Sequence, residues 1–326
     1  MNIPPTDGIR VDAESLCSLV RSIFENIPIP ADHARLIADL LVDTELRGVI
    51  SHGVGQVERY IRDFQNGTIN PAPAPRLLKE GPVTATFSGD GGLGMIVATK
   101  AISLAIPKAR DQGVAIATTT YHGHVGSVGK YVRMALREDL IGIGFSGRCA
   151  SPQYDYEAIV QASIQGSPPL AFGFPAGPDH PAFLLDMASH VPWDEACFKK
   201  MPQVFYKAMG LSHVANILSG TLGGQMLPEF DRRTIQHERA DQSGFFMAID
   251  IERFVPPEAF KNDIDHLMDE VRKMQPYPGY TEALLPGVLE WQKERAYPQE
   301  GIPITADAKT ALEQLADELG CSVPWS

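Results

Sequence analysis

Two consecutive strand–turn–helix units in the middle of the chain constrain its fold more than any other feature. Residues 83–87 and 114–119 are rich in β-branched and apolar side chains, and each stretch is followed by a glycine-rich turn and a helical period. More apolar stretches of strand length follow at residues 140–145, 170–174, 183–187 and 245–249. Strands that alternate with helices predict an α/β layer.

Residues near both ends of the chain have a helical period instead. Apolar side chains recur at helical spacing after Asp12, after Pro30 and within 55–65, 257–274 and 306–319. A helix is also predicted at 210–222, where small side chains indicate a buried position. The proline-rich stretch 70–75 is a stiff connector and a candidate domain boundary.

The charge of the chain limits its partners. The formal net charge is −12, which argues against nucleic acid and anionic membranes as partners. A mean hydropathy of −0.09 is typical of a soluble globular protein. No stretch is long and apolar enough to span a bilayer, and residues 1–15 lack the apolar core of a signal peptide, so a cytoplasmic protein is expected.

The first glycine-rich turn, from Gly89 to Gly94, fits the G-x-G-x-x-G pattern of a Rossmann dinucleotide site. A Rossmann unit also needs an acidic residue at the end of its second strand, to bind the ribose. The second strand here ends in Thr118, Thr119 and Thr120, with no acid. A tight turn without a dinucleotide role is the favoured interpretation.

The second glycine-rich turn, from Gly123 to Gly129, also lies between a strand and a helix. Backbone N–H groups at the start of a helix attract anions, so phosphate or carboxylate binding and a purely structural turn are both open. His122 and His124 flank Gly123, but two histidines without a third ligand do not make a zinc site, and no metal is predicted.

His52 and Asp186 are the candidate acid/base residues. His52 follows a helix end and lies between Ser51 and Gly53, where a loop can present an imidazole to a cleft. Asp186 ends an apolar run, where an aspartate either caps a helix or orients a catalytic histidine. By itself, each position is equally compatible with an ordinary structural role.

Several segments taken together resemble the malate/L-lactate dehydrogenase family, whose fold is α/β but not of the Rossmann type. They occur in the family's order over nearly the whole chain. The matching residues and segments are Leu46-Arg47-Gly48-Val49-Ile50-Ser51-His52-Gly53-Val54, Tyr60, Gly67-Thr68-Ile69-Asn70-Pro71, Ser88-Gly89-Asp90-Gly91-Gly92-Leu93-Gly94, His124-Val125-Gly126 with Gly129-Lys130-Tyr131, Leu184-Leu185-Asp186-Met187-Ala188, Lys207 with Gly210-Leu211, and Leu284-Leu285-Pro286-Gly287.

The resemblance implies a helical domain built from both chain ends, 1–78 plus 255–326, and an α/β domain at 79–254 that holds cofactor and substrate. It implies a homodimer that transfers a hydride between NADH or NADPH and a 2-oxo acid or a cyclic imine acid. His52 would protonate the developing alkoxide, and Asp186 would hold the tautomer of His52. The remaining roles carried over are substrate binding by Ser51, His124 and Gln56, and cofactor binding by His124, Gly126, Ser127, Ser167 and Lys207.

The chain departs from the family pattern at several of these places. Gln56 stands where relatives carry the arginine that grips the substrate carboxylate, and a neutral amide cannot replace that charge. Arg148 is a candidate for a relocated clamp, or else an ordinary surface arginine. The family's cofactor loop G-T-N-P is Gly166-Ser167-Pro168-Pro169 here, and several dozen residues that help to hold the dinucleotide are missing between Met187 and Lys207.

These departures leave two other functions open. One is a cofactor-free lyase, hydratase or isomerase that uses His52 as acid/base on the same scaffold. The other is a binding protein without activity, against which the retention of Ser51, His52 and Asp186 argues.

Overall fold

The computed structural model describes residues 5–149, 154–164, 166–230 and 235–325. Within these ranges the strands are β1 (Ile9–Val11), β2 (Arg76–Glu80), β3 (Thr84–Ser88), β4 (Val114–His122), β5 (Leu140–Gly147), β6 (Pro169–Phe174), β7 (Phe183–Ala188), β8 (Gln242–Asp250) and β9 (Ile302–Ile304). The helices are α1 (Ala13–Glu25), α2 (Ala31–Leu46), α3 (Val57–Gln65), α4 (Gly94–Gln112), α5 (Gly129–Leu136), α6 (Glu195–Lys200), α7 (Pro202–Asn216), α8 (Pro257–Arg272), α9 (Val288–Glu300) and α10 (Ala306–Leu319).

A mixed sheet forms the centre of the α/β layer. Its order within the described residues is β2-β3-β4-β8-β5-β6-β7, in which only β3 and β4 run parallel to each other. A Rossmann sheet is built from parallel strands, so this topology excludes one. The turn that starts at Gly89 is accordingly a tight connection, in which the Gly91 N–H donates to the Tyr121 carbonyl.

Helices cover both faces of this sheet. On one face, α4 and α5 bury a core that includes Ile102, Val132 and Phe246. On the other face, α7 packs Ala215 against a smaller cluster around Phe145. The α/β fold expected from the sequence is therefore confirmed.

A separate core joins the two ends of the chain. β1 pairs antiparallel with β9, and Leu312 of α10 is buried in the same cluster as Phe24, Leu41 and Ile61. This packing agrees with a helical unit built from both ends, while the boundaries 1–78, 79–254 and 255–326 stay a prediction. None of the helices in the described ranges is long and apolar enough to cross a membrane.

The prediction of a helix at residues 210–222 was right about the buried side and wrong about the bounds. Helix α7 begins at Pro202, earlier than expected, and a turn of π-helix continues it over residues 217–221. The side with the small residues is buried as expected, at Ser212, Ala215, Ser219 and Gly220. The opposite face is apolar and open, because Leu211, Val214 and Ile217 are between 36% and 56% exposed.

Candidate active site

His52 lies in a short 3-10 turn, Ile50–His52, directly after helix α2. Its Nδ1 is 2.8 Å from Oγ of Ser51, and Nε2 of Gln56 donates to the Ser51 carbonyl at 3.0 Å. Burial lowers the pKa of His52, and the positive charges of Lys130 and Arg59 lower it further. The imidazole is therefore neutral at pH 7 and is held by its own turn.

Glu45 supports this turn from the inside of the protein. Its side chain is 3% exposed, and Oε1 accepts the Val54 N–H at 2.8 Å. Burial raises the pKa of Glu45 to about 7 because little solvent stabilises the carboxylate there.

His124 lies beside His52, with ring centroids 5.6 Å apart. The buried hydroxyl of Tyr60 is 2.7 Å from Nδ1 of His124. Burial lowers the pKa of His124 to about 3, and the neighbouring His52 lowers it too, so His124 is neutral at any ordinary pH. Two histidines that are 72 positions apart thus form one pair of neutral imidazoles.

His122, in contrast, is a structural residue. It is fully buried, with Nε2 at 2.8 Å from Oγ1 of Thr119 and Nδ1 at 2.7 Å from the Gly123 carbonyl. Both ring nitrogens are therefore occupied inside the protein. In the part of the chain that the structure describes, no group of three or more His, Cys, Asp or Glu side chains is placed to hold a metal ion.

Asp186 lies on β7 and faces the start of helix α5. Its Oδ2 accepts the Gly129 N–H at 2.9 Å, and a Cβ at Gly129 would lie 2.6 Å from that oxygen, so the contact requires glycine. Burial by the surrounding protein raises the pKa of Asp186, although the carboxylate is accessible from the cavity in front of it. Among the described residues no hydrogen bond joins Asp186 to His52, so the orientation of His52 by Asp186 stays a prediction. The hydroxyl of Ser51, and not Asp186, contacts Nδ1 of His52.

These side chains surround a cavity of about 1670 Å³. His52, His124 and Asp186 line it together with Ser127, Ser167 and Arg148. Residues from 271 to 292, which run from the end of α8 into α9, also line it. Of this stretch, the sequence analysis noted only Leu284-Leu285-Pro286-Gly287, as a family segment and not as part of the site. Tyr277 and Tyr280 show no pattern that distinguishes them from ordinary loop residues.

Other predicted site residues lie away from the cavity wall. Lys207 is exposed on α7, and Gly126 is not among the residues that line the cavity; a Cβ at Gly126 would meet the side-chain ends of Lys130 and Met95. The amide of Gln56 donates to the Ser51 carbonyl and accepts a hydrogen bond from Arg59 at 3.3 Å. The structure therefore leaves Lys207, Gly126 and Gln56 off the cavity wall, although Gln56 contacts Ser51.

The cavity wall is rich in cations, most of which the sequence analysis did not select. Its arginines have polar partners: Arg47 pairs with Glu294, Arg133 with Asp43, Arg148 with Asp241 at 2.9 Å, and Arg59 with Gln56. The charge of Arg148 is therefore compensated by the neighbouring carboxylate of Asp241. Lys130 is the remaining basic residue of the wall formed by the described residues.

The model of the malate/L-lactate dehydrogenase family matches residues 11–196 and 196–313, nearly the whole chain. The chain belongs to this family. The family resemblance noted in the sequence is thereby confirmed, and the chain is a member of a family of oxidoreductases.

Two relatives illustrate the similarity. The chain is 30% identical to the malate dehydrogenase of Pyrococcus horikoshii over 96% of both chains. It is 29% identical to the L-sulfolactate dehydrogenase of Methanocaldococcus jannaschii, over 94% of this chain and 96% of that one. The solved structure of the Pyrococcus horikoshii enzyme superimposes with a TM-score of 0.82 and covers 98% of both chains at 29% identity.

The shortened segment after β7 is visible in these comparisons as well. The match to the family model breaks at residue 196, at the start of α6. The alignment with the Pyrococcus horikoshii malate dehydrogenase extends over 353 positions, which is more than the 326 residues of this chain. Relatives therefore hold residues that have no counterpart here.

Proposed function

We propose that this member of the malate/L-lactate dehydrogenase family transfers a hydride between NADH or NADPH and a small 2-oxo or 2-hydroxy acid, or a cyclic imine acid. The observation that carries the proposal is the pair His52 and His124, which lies in a large cation-rich cavity of a chain that belongs to a dehydrogenase family.

The cavity fits a nicotinamide cofactor in size and in the chemistry of its wall. Its volume of about 1670 Å³ exceeds that of ordinary small-molecule sites. Ser127 and Ser167 on its wall offer two hydroxyls to phosphate and ribose groups. When bound, the cofactor supplies or accepts the hydride. A relative that is 27% identical to this chain, from Escherichia coli, is named ureidoglycolate dehydrogenase (NAD(+)), which supports the same cofactor class.

His52 is the proposed acid/base. Oxidation of a 2-hydroxy acid removes the hydroxyl proton, and a neutral imidazole accepts a proton at pH 7. Because Ser51 occupies Nδ1, Nε2 of His52 is the nitrogen for proton transfer. In the reverse direction the protonated His52 returns that proton to the developing alkoxide.

His124 is proposed to orient the reacting oxygen. The Tyr60 hydroxyl keeps its proton, because burial raises its pKa, and it needs an acceptor. Donation to Nδ1 of His124 places the imidazole proton on Nε2, from which it can be donated to the substrate oxygen.

The first test is a titration of the protein with NADH and NADPH, read by nicotinamide fluorescence, followed by turnover assays with a panel of 2-oxo acids. His52→Gln is expected to lower kcat roughly 100- to 10,000-fold and to leave cofactor binding unchanged. His266→Gln, at a position 76% exposed on α8, is the matched control. Absence of cofactor binding at millimolar concentration would contradict the proposal.

The short segment after β7 favours a second candidate, a cofactor-free lyase, hydratase or isomerase. Lys207, which the family resemblance assigns to the cofactor, is exposed and outside the cavity wall. Such an enzyme would use His52 to remove the proton next to a carboxylate or carbonyl. Exchange of solvent deuterium into 2-oxo or 2-hydroxy acids without nicotinamide, lost in His52→Gln, would favour this candidate over the first.

We also propose that the protein is a homodimer. The exposed apolar side chains of α7 and the π-helical turn, among them Leu211, Val214 and Ile217, support an association through this face. Light scattering on the purified protein measures its mass directly. A monomeric mass at micromolar concentration would rule the dimer out.

A further inference from the structure

Lys130 is unlike the arginines of the cavity wall. Its side chain is 4% exposed, and its Nζ has no hydrogen-bond partner among the described residues. The ammonium group lies under the second glycine-rich turn, so close that a Cβ at Gly126 would be 2.7 Å from Nζ. It is therefore a buried cation on the wall of the cavity without a partner of its own.

Lys130 lines the same cavity as His52 and His124. Its charge acts on the two imidazoles, lowering the pKa of both His52 and His124. Asp43 and Asp186 favour its charged form, and Arg133 opposes it. Asp43 forms an ion pair with Arg133, and an oxygen of Asp186 accepts the Gly129 N–H. In the part of the chain that the structure describes, neither carboxylate forms a hydrogen bond with Nζ of Lys130.

A buried ammonium group of this kind is expected to bind an anion. Burial lowers the pKa of Lys130 to about 8, so the group is still mostly charged at pH 7. An uncompensated charge in the interior is costly, and a carboxylate that binds there regains the interaction that water no longer supplies. The substrate acids of the proposed function carry such a carboxylate.

The other candidates near the cavity, Arg148, Gln56 and Arg59, are less suited to bind a carboxylate. Arg148 is paired with Asp241, and Gln56 is a neutral amide that serves the Ser51 turn. Arg59 lies at the exposed rim, where its side chain is 42% accessible and water weakens its electrostatic effect.

We propose that Lys130 binds the carboxylate of the substrate and thereby places the neighbouring carbon beside His52 and His124. This inference rests on the proposed function for the identity of the anion as a small 2-oxo or 2-hydroxy acid. Lys130 is then a substrate-binding residue that sets specificity for acids over their neutral amides. It takes the role expected of Gln56 or Arg148 from the family pattern.

The test uses oxalate, a small dicarboxylate, as the probe in thermal-shift titrations without nicotinamide. We expect oxalate to stabilise the wild-type protein, and Lys130→Met to weaken its binding about 100-fold. Lys293→Met is the matched control, since Lys293 is half-buried on α9 and lies outside the cavity wall. Circular dichroism checks the fold, and Lys130→Gln replaces the methionine variant if that protein does not fold.

Oxalate affinity that is unchanged in Lys130→Met, or absent in the wild type, would overturn the inference. Once turnover of a 2-oxo acid has been measured, Lys130→Met should raise KM for that acid about 100-fold and leave the NAD(P)H affinity unchanged. The same variant should no longer prefer the acid to its amide. Oxalate binding that depends on Lys130 in a protein without any hydride transfer would support the anion site and refute the proposed function.

Discussion

Replacing Tyr60 by phenylalanine removes one oxygen atom, which lies 2.7 Å from Nδ1 of His124. Tyr60 is 1% exposed, so water cannot take the place of the lost hydroxyl. A buried polar atom that loses its partner costs about 1 to 3 kcal/mol. For a chain of 326 residues, that loss lowers Tm by about 2 to 4 °C.

The same substitution is expected to change the chemistry of His124. Without the tyrosine proton, Nδ1 no longer has a donor, and the imidazole loses its preference for carrying its proton on Nε2. Nitrogen-15 NMR of labelled histidine measures that tautomer directly, and calorimetry measures Tm. Turnover, once established, should fall about tenfold, because only part of the molecules present the correct nitrogen.

Tyr131→Phe is the control for this prediction. The Tyr131 hydroxyl is also buried and donates to the Val125 carbonyl at 2.6 Å, so its removal should lower Tm by a similar amount. It should leave the tautomer of His124 unchanged. The reasoning would be refuted if Tyr60→Phe kept both the tautomer and the Tm of the wild type.

Three further substitutions test the support of the site. Burial raises the pKa of Glu45 from 4.5 to about 7, so the folded state binds the proton more tightly and loses stability as the pH rises through that window. Glu45→Gln should therefore be about 3 kcal/mol more stable than the wild type at pH 8 and nearly equal at pH 4, measured by urea unfolding. Ser51→Ala should leave Tm within about 1 °C, because Ser51 is exposed, and lower kcat about tenfold by releasing His52, measured by steady-state kinetics. Gly126→Ala and Gly67→Ala both place a side chain at positive φ, +73° and +67°, and each should lose about 1 to 2 kcal/mol in urea unfolding. Only at Gly126 does the new methyl group meet atoms within 4 Å, and these are the flexible ends of Lys130 and Met95, which can move aside.

Each of these predictions has an outcome that contradicts it. A pH profile of stability that Glu45→Gln leaves unchanged would mean that the buried carboxylate does not titrate as described. A wild-type stability in both glycine variants would mean that positive φ at these two turns does not strain an alanine. Full activity in Ser51→Ala would show that another group holds the histidine.

The secondary structure of the chain could largely be predicted from local pattern. Helix α10 was placed at its observed bounds, and β3, β4, β5 and β8 were each found within a few residues, because apolar periodicity is a local property. Strand β2 was missed because all of its residues are exposed and leave no alternating pattern. Helix α9 was missed because it has charged residues on all sides and a proline near its end.

The site could be predicted only in part. The sequence by itself selected His52, His124 and Asp186 as candidates, since these residues stand in segments that keep the order and spacing of the family. It also determined that the Gly89 turn is not a Rossmann site, because the acid that would bind ribose is absent. It could not select Lys130, since a lysine in the first turn of a helix ordinarily points to solvent.

Only the tertiary structure decided what these residues do to one another. It placed the ring centroids of His52 and His124 5.6 Å apart, and it placed the Tyr60 hydroxyl 2.7 Å from Nδ1 of His124. It paired Arg148 with Asp241 and left Lys130 without a hydrogen-bond partner among the described residues. Burial and the distances between charges set the pKa and the availability of each group, and both arise when segments that are remote in the chain pack together.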